Sequence, residues 1–261
     1  MSSDGHMALA QMLLGEETSR AFGAVARGGT LGATLLVLRK RALWSLEEGL
    51  RGIARPSLWR ETPGGRDALT ILVATVPTAI VGLALRRSAE AWSSSPAVIG
   101  GCLLLSAAAV ASTSVASSAH RPGTAERDVP TVIGALIVGL AQGATVLPGL
   151  SRSAMTLAAL MWLGVRAERA FELSFLMAIP VLAGTAILDA IDAIDAHAGA
   201  GAAAFSGDAP ALIAGAVAAF VVGLVALSAV RRIVIGGKLP LFAFYLVPLA
   251  IATLAWGYAR P

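Results

Sequence analysis

Residues 146–156, V-L-P-G-L-S-R-S-A-M-T, set a proline, a glycine, two serines and an arginine inside an otherwise oily chain. Their setting decides what they mean. The 261 residues are 56% hydrophobic and 14% charged, with a mean hydropathy of +0.76, outside the range of soluble globular domains. Only 5% of the residues are aromatic while 28 are glycine, which suits helices whose small residues let backbones approach closely in lipid. The chain reads as an all-α, polytopic helical membrane protein. Pro148 lacks an N–H and Gly149 tolerates any φ, so together they break a helix. Such irregular backbone survives at membrane depth only where protein buries it or a wet cavity receives it. The stretch therefore predicts re-entrant helical segments.

Working outward, apolar runs long enough to cross a bilayer, or nearly so at about 20 residues, fall at 22–38, 68–85, 96–118, 129–147, 171–188, 210–230 and 239–258. Two shorter stretches, 7–14 and 154–165, reach only about 18 Å as helices and are read as re-entrant, or completed by the chain before them. A net charge of +4 and a pI near 10.0 come from arginines in short loops between apolar runs. That is a pattern of membrane orientation, and no nucleic-acid partner is implied. The span from Arg39 to Asp67, holding Lys40, Arg41, Arg51, Arg55, Arg60 and Arg66, reads as a cytoplasmic loop. Alternation then puts 119–128 and 231–238 inside and 189–209 outside. In that outer segment Asp189, Asp192, Asp195 and Asp208, with His197, read as a solvated acidic loop in preference to metal ligands. Cys102, the single cysteine, is expected only to pack, and the first residues lack the basic and apolar regions of a signal peptide.

The chain also resembles itself. Residues 2–22, SSDGHMALAQMLLGEETSRAF, lie without a gap on residues 151–171, SRSAMTLAALMWLGVRAERAF. The shared L-G-x-x-x-x-R-A-F is the informative part, and it predicts a degenerate duplication: one membrane domain over 1–261 with inverted halves at about 1–118 and 129–261. In the second copy the motif follows the run 129–147 with Gln142, then Pro148-Gly149. The first copy has no such run before it, and the expectation is that a helix and the front of its turn are missing there.

Ser151, Arg152 and Ser153 open a short helix, so hydroxyls, unpaired N–H groups and a guanidinium converge at one helix N-terminus, an arrangement that binds anions. Arginine adds a planar fork that takes phosphate oxygens two at a time. Thr156 sits one turn later on the same face. A second reading is open at this point: Arg152 snorkels to the interface and the serines merely cap a helix. In the other copy Ser3 and His6 offer a hydroxyl and an imidazole able to act as general base, acid or nucleophile, against the alternative of a disordered chain start.

Gln142 followed by P148-G-L-S-R-S-A-M-T156 resembles the P-G-x-S-R-S-x-x-T signature of the undecaprenyl pyrophosphate phosphatase family, the bacitracin-resistance proteins. The similarity extends through F171-E-L-S-F-L-M-A-I-P180, A74-T-V-P-T-A-I-V-G82 and L35-L-V-L-R-K-R41, while S2-S-D-G-H6 resembles the family's S-S-T-G-H with Asp4 in place of threonine. The resemblance implies a bacterial cell-membrane enzyme that dephosphorylates undecaprenyl diphosphate to recycle the lipid carrier of cell-wall synthesis. It implies Ser3, His6 and Arg152 as catalytic, with Ser3 and His6 both open as nucleophile, and Gln142, Gly149, Ser151, Arg152, Ser153 and Thr156 as substrate-binding. A divalent cation, Mg or Ca, is implied too, but the family's E-x-x-x-E pair has no counterpart here and the metal ligands are unknown. The partners implied are a polyprenyl diphosphate lipid, the membrane and a homodimer. The alternatives are a non-enzymatic polyprenyl-phosphate carrier or flippase, and an inactive truncated homologue.

Overall fold

The computed structural model describes residues 3–15, 20–119, 126–196 and 209–259. Among these the helices are α1 (Ser3–Leu14), α2 (Arg20–Ala54), α3 (Leu58–Glu61), α4 (Pro63–Trp92), α5 (Pro96–Ala119), α6 (Val132–Ala144), α7 (Arg152–Trp162), α8 (Ala167–Ala196), α9 (Ala209–Ile235) and α10 (Ala243–Ala259), the last entered through a 3-10 turn, Leu239–Phe242. Among the described residues, six helices are long and apolar enough to cross a membrane: α2, α4, α5, α8, α9 and Leu239–Ala259. The chain is an all-α polytopic membrane protein.

The run 129–147 does not become a spanning helix. Thr131 caps α6 by accepting the Gly134 N–H, and the helix ends after 13 residues, about 20 Å at 1.5 Å per residue, short of a hydrocarbon core of about 30 Å. The chain then turns and runs back as α7. Arg127 donates its N–H to the Gly164 carbonyl at 2.9 Å, and Arg166 donates to the Arg127 carbonyl at 3.2 Å. The residues flanking the two helices thus lie side by side, and α6, the turn and α7 form one re-entrant hairpin, as the short stretch 154–165 predicts. A hairpin that returns to its own starting level is also what the alternation of sides read from the arginines requires.

The hairpin is held by close packing on α4. A Cβ at Gly139 would lie 2.3 Å from the Ala74 carbonyl oxygen, and one at Gly143 would lie 2.7 Å from Val81 Cβ. Only glycine permits this approach, and it lets the Thr78 hydroxyl donate to the Gly139 carbonyl at 2.9 Å. The core continues through Leu157 and Leu160 of α7, Leu103 of α5, and Phe171, Leu173, Leu176 and Met177 of α8, all buried. Val217, Val221, Val222 and Val225 of α9 are exposed on its outer face, the position of side chains that meet lipid.

Two charged segments differ from their sequence reading. The basic span 39–67 is mostly helix, because α2 continues to Ala54 and α4 begins at Pro63. Its charges are partly built in: Arg41 Nε donates to Asp67 at 2.6 Å, Asp67 is fully buried, and Arg169 of α8 pairs with it from the other side. The acidic residues Asp189 and Asp192 lie on α8, not in a loop, and pair with Arg27 of α2 and Arg86 of α4. Apolar surroundings favour such pairing over isolated charges. His197 and Asp208 lie outside the described residues, as does Ser2.

The segments that align with each other fold alike. α1 opens at Ser3, aligned with Arg152, the first residue of α7, and the glycines that follow both take positive φ, Gly15 at +69° and Gly164 at +81°. A helix, a left-handed glycine turn and a long helix therefore occur twice.

Candidate functional site

The turn of the hairpin is pinned by α5. Gly149 has φ +94°, and a Cβ there would lie 2.6 Å from the Ile99 carbonyl oxygen, so glycine is required both by conformation and by space. Two turns along α5 from Ile99, the buried Ser106 hydroxyl accepts the Ser151 N–H at 2.8 Å. Its own proton has two carbonyl acceptors, Cys102 at 2.9 Å and Gly149 at 3.2 Å. Ser106 thus fixes the backbone on either side of Leu150 and aims the start of α7.

Ser151 is the N-cap of α7. Its hydroxyl accepts the Ala154 N–H at 3.3 Å and lies 3.4 Å from the Ser153 hydroxyl. Arg152 is the first helical residue. Its Nε is buried without a hydrogen-bond partner, and so is Oε1 of Gln142 in the last turn of α6. Buried polar atoms are rarely left unpaired, and these two belong to residues that flank the turn in sequence. Gln142 is itself anchored, donating through Nε2 to the Met177 carbonyl at 3.3 Å. Arg152 lies within electrostatic reach of Asp4 on α1 and Arg27 on α2, which ties the two sequence motifs together.

Thr156 has a different setting from its signature neighbours. It is fully buried, and its hydroxyl lies 2.9 Å from the Arg152 carbonyl and against the Ser174 hydroxyl of α8. It joins α7 to α8 beneath the turn, whereas Arg152 and Ser153 remain partly accessible.

On α1, Ser3 is exposed at the helix start and His6 follows one turn later, half-buried. The His6 Nε2 lies 2.6 Å from the Tyr245 hydroxyl of α10, and the two rings are parallel within 9°. α5 packs against α7 and α10, and more lightly against α1, so one helix reaches the imidazole side and the guanidinium side of the site. Ser106 and Tyr245 are the residues that the motifs did not contain. A hydroxyl in the apolar run L103-L-L-S-A-A-A and one of only two tyrosines in the chain were the signals available.

Among the described residues no group of three or more His, Cys, Asp or Glu side chains could hold a metal ion. The described residues therefore offer no such ligand set for the divalent cation that the resemblance implies.

The family described as bacitracin resistance protein BacA matches residues 1–252. The undecaprenyl-diphosphatase of Korarchaeum cryptofilum is 34% identical over 258 residues, covering 98% of this chain and 92% of the relative. That of Bacteroides fragilis is 36% identical over 259 residues, covering 97% and 90%, and that of Bacteroides thetaiotaomicron is 36% identical over 259 residues, covering 98% and 90%.

Proposed function

The chain belongs to the bacitracin resistance protein BacA family, and from that premise we propose that it hydrolyses undecaprenyl diphosphate to undecaprenyl phosphate and inorganic phosphate. The observation that carries the proposal at the site is the unpartnered, buried Nε of Arg152 at the tip of a re-entrant hairpin. A guanidinium held there, with the opening N–H groups of α7 beside it, is complementary to the oxygens of a diphosphate.

Hydrolysis of the anhydride breaks the bond between the terminal phosphorus and its bridging oxygen. The leaving group is the lipid monophosphate, whose developing charge Arg152 stabilises. Ser3 and His6 supply the protic groups: an attacking hydroxyl or water must lose a proton as the P–O bond forms, and His6 is the general base on the described part of α1; where the Ser3 hydroxyl attacks, water then cleaves the phosphoserine and releases inorganic phosphate. The roles belong to these side chains; among the described residues the divalent cation has no ligand set from which a step could be derived. Three spanning helices, α2, α4 and α5, separate the first helix–glycine unit from the second. That odd number supports an inverted relation of the two halves, with α1 and α7 entering from opposite faces of the cell membrane.

The test is phosphate release from undecaprenyl diphosphate in detergent, with Mg²⁺ or Ca²⁺ present. The wild-type chain should release phosphate, and Arg152→Ala and His6→Ala should each lower the rate at least 100-fold. No release by the wild type, together with movement of polyprenyl phosphate between the leaflets of vesicles, would replace hydrolysis with the carrier reading.

A further inference from the structure

Tyr245 reaches from α10 across to α1. It lies in the first turn of α10, in the sequence A243-F-Y-L-V-P-L-A of a mostly apolar helix. Its ring is about half exposed, so burial does not explain it, yet its hydroxyl meets one specific atom, the Nε2 of His6, across 239 positions of sequence. The 2.6 Å separation is at the short end for a hydrogen bond between nitrogen and oxygen, and the parallel rings, with centroids 5.7 Å apart, fix the imidazole plane as well as its position.

We propose that Tyr245 is a positioning residue for His6 in the hydrolysis argued above, a reading on which this inference rests. For His6 to act as a base one ring nitrogen must keep its lone pair, so Nε2 carries the ring proton and donates it to the Tyr245 hydroxyl oxygen, leaving Nδ1 free to accept a proton. The contact therefore does two things: it selects one tautomer of the imidazole, and it stops the ring from rotating about χ2. Both matter because α1 is short. Its 12 residues give His6 little support of its own, and a catalytic group displaced by about 1 Å can lose on the order of 100-fold in rate. α10 supplies the support from a spanning helix, and both α1 and α10 lean on α5.

Tyr245→Phe removes one oxygen and keeps the ring, and its half-exposed position leaves the fold intact. In the phosphate-release assay the variant should lose about tenfold or more in kcat with KM within twofold of wild type, because substrate binding is left to the Arg152 turn. In a His6→Ala background the same change should cost nothing further. A second readout does not depend on turnover: nitrogen NMR of histidine-labelled protein in detergent, with the His6 signals assigned by their loss in His6→Gln. It should place the proton of neutral His6 on Nε2 in the wild type and move it towards Nδ1 in Tyr245→Phe. Equal kcat for the two proteins, an additive loss in the double variant, or an unchanged His6 tautomer would each overturn the proposal. A wild type that releases no phosphate sinks the hydrolase reading instead, and the tautomer measurement then decides on Tyr245 by itself.

Discussion

Replacing Arg152 by lysine keeps the positive charge and removes the planar fork, so it separates an anchoring charge from a phosphate ligand. Lysine delivers a point charge with no counterpart of the Nε that lies buried and unpartnered beside the hairpin turn. Arg152→Lys should weaken binding of a diphosphate lipid at least tenfold, about 1.4 kcal/mol, measured by calorimetry or by KM; binding within twofold of wild type would make Arg152 an interfacial anchor. Gly149 is a separate case, because its role is conformational. With φ +94° and the Ile99 carbonyl oxygen 2.6 Å from where a Cβ would stand, Gly149→Ala should cost about 1–3 kcal/mol of stability and lower the melting temperature in detergent, with activity lost in proportion to misplacement of Arg152. At this scale the sequence was informative wherever a residue was chemically incongruous. Pro148, Gly149 and Arg152 stand out in an apolar run, and each occupies the turn. Ser106 and Tyr245 do not stand out, because a serine or tyrosine in a membrane helix is common; only the fold reveals which backbone or ring each one reaches.

The elements were legible to the extent that hydropathy alone determines them. Six of the seven long apolar runs are spanning helices, and the duplicated motif is two helices of matching start with matching left-handed glycines. The seventh run, 129–147, reads as a span because its residues are apolar enough. It is shortened by capping, at Thr131 and Thr145, and by the return bonds between Arg127 and Gly164–Arg166. Hydropathy carries no signal of a partner strand of backbone 37 positions away, so length was misjudged while the helix break at its end was not. The basic span 39–67 was misread for the complementary reason. Charge suggests a loop, but arginines that find carboxylates can remain in a helix, as Arg41 does with Asp67. The hairpin makes its own prediction about sidedness. In a background with Cys102→Ala, cysteines placed at Arg127 and at Arg166 should react with a membrane-impermeant maleimide from the same side of a sealed vesicle. A cysteine at Ser153, in the partly accessible turn, should react from the opposite side. Labelling of positions 127 and 166 from opposite sides would show that α6 and α7 together cross the membrane.

The whole molecule is held together at one end by a buried charge cluster that the site motifs do not mention. Asp67 of α4 is fully buried, accepts from Arg41 of α2 and pairs with Arg169 of α8, which also pairs with Glu172. Three spanning helices therefore converge on one carboxylate, and the third of them, α8, carries Ser174 and Met177, the residues that hold Thr156 and Gln142 of the hairpin. The chain of contacts runs from the cluster through α8 to the floor of the site. Removing one member of a buried ion pair leaves an uncompensated charge, at a cost of about 3–5 kcal/mol, whereas replacing both partners by apolar groups of similar size is often neutral or better. Asp67→Asn should accordingly lower the melting temperature in detergent sharply, with phosphate release falling because less protein is folded and not because KM changes. The double variant Asp67→Leu with Arg169→Met should recover much of that loss, leaving Arg41 free to reach Glu172 or solvent. Two single losses that simply add in the double variant would mean that Asp67 and Arg169 are not energetically coupled, and that the convergence of α2, α4 and α8 rests on packing alone.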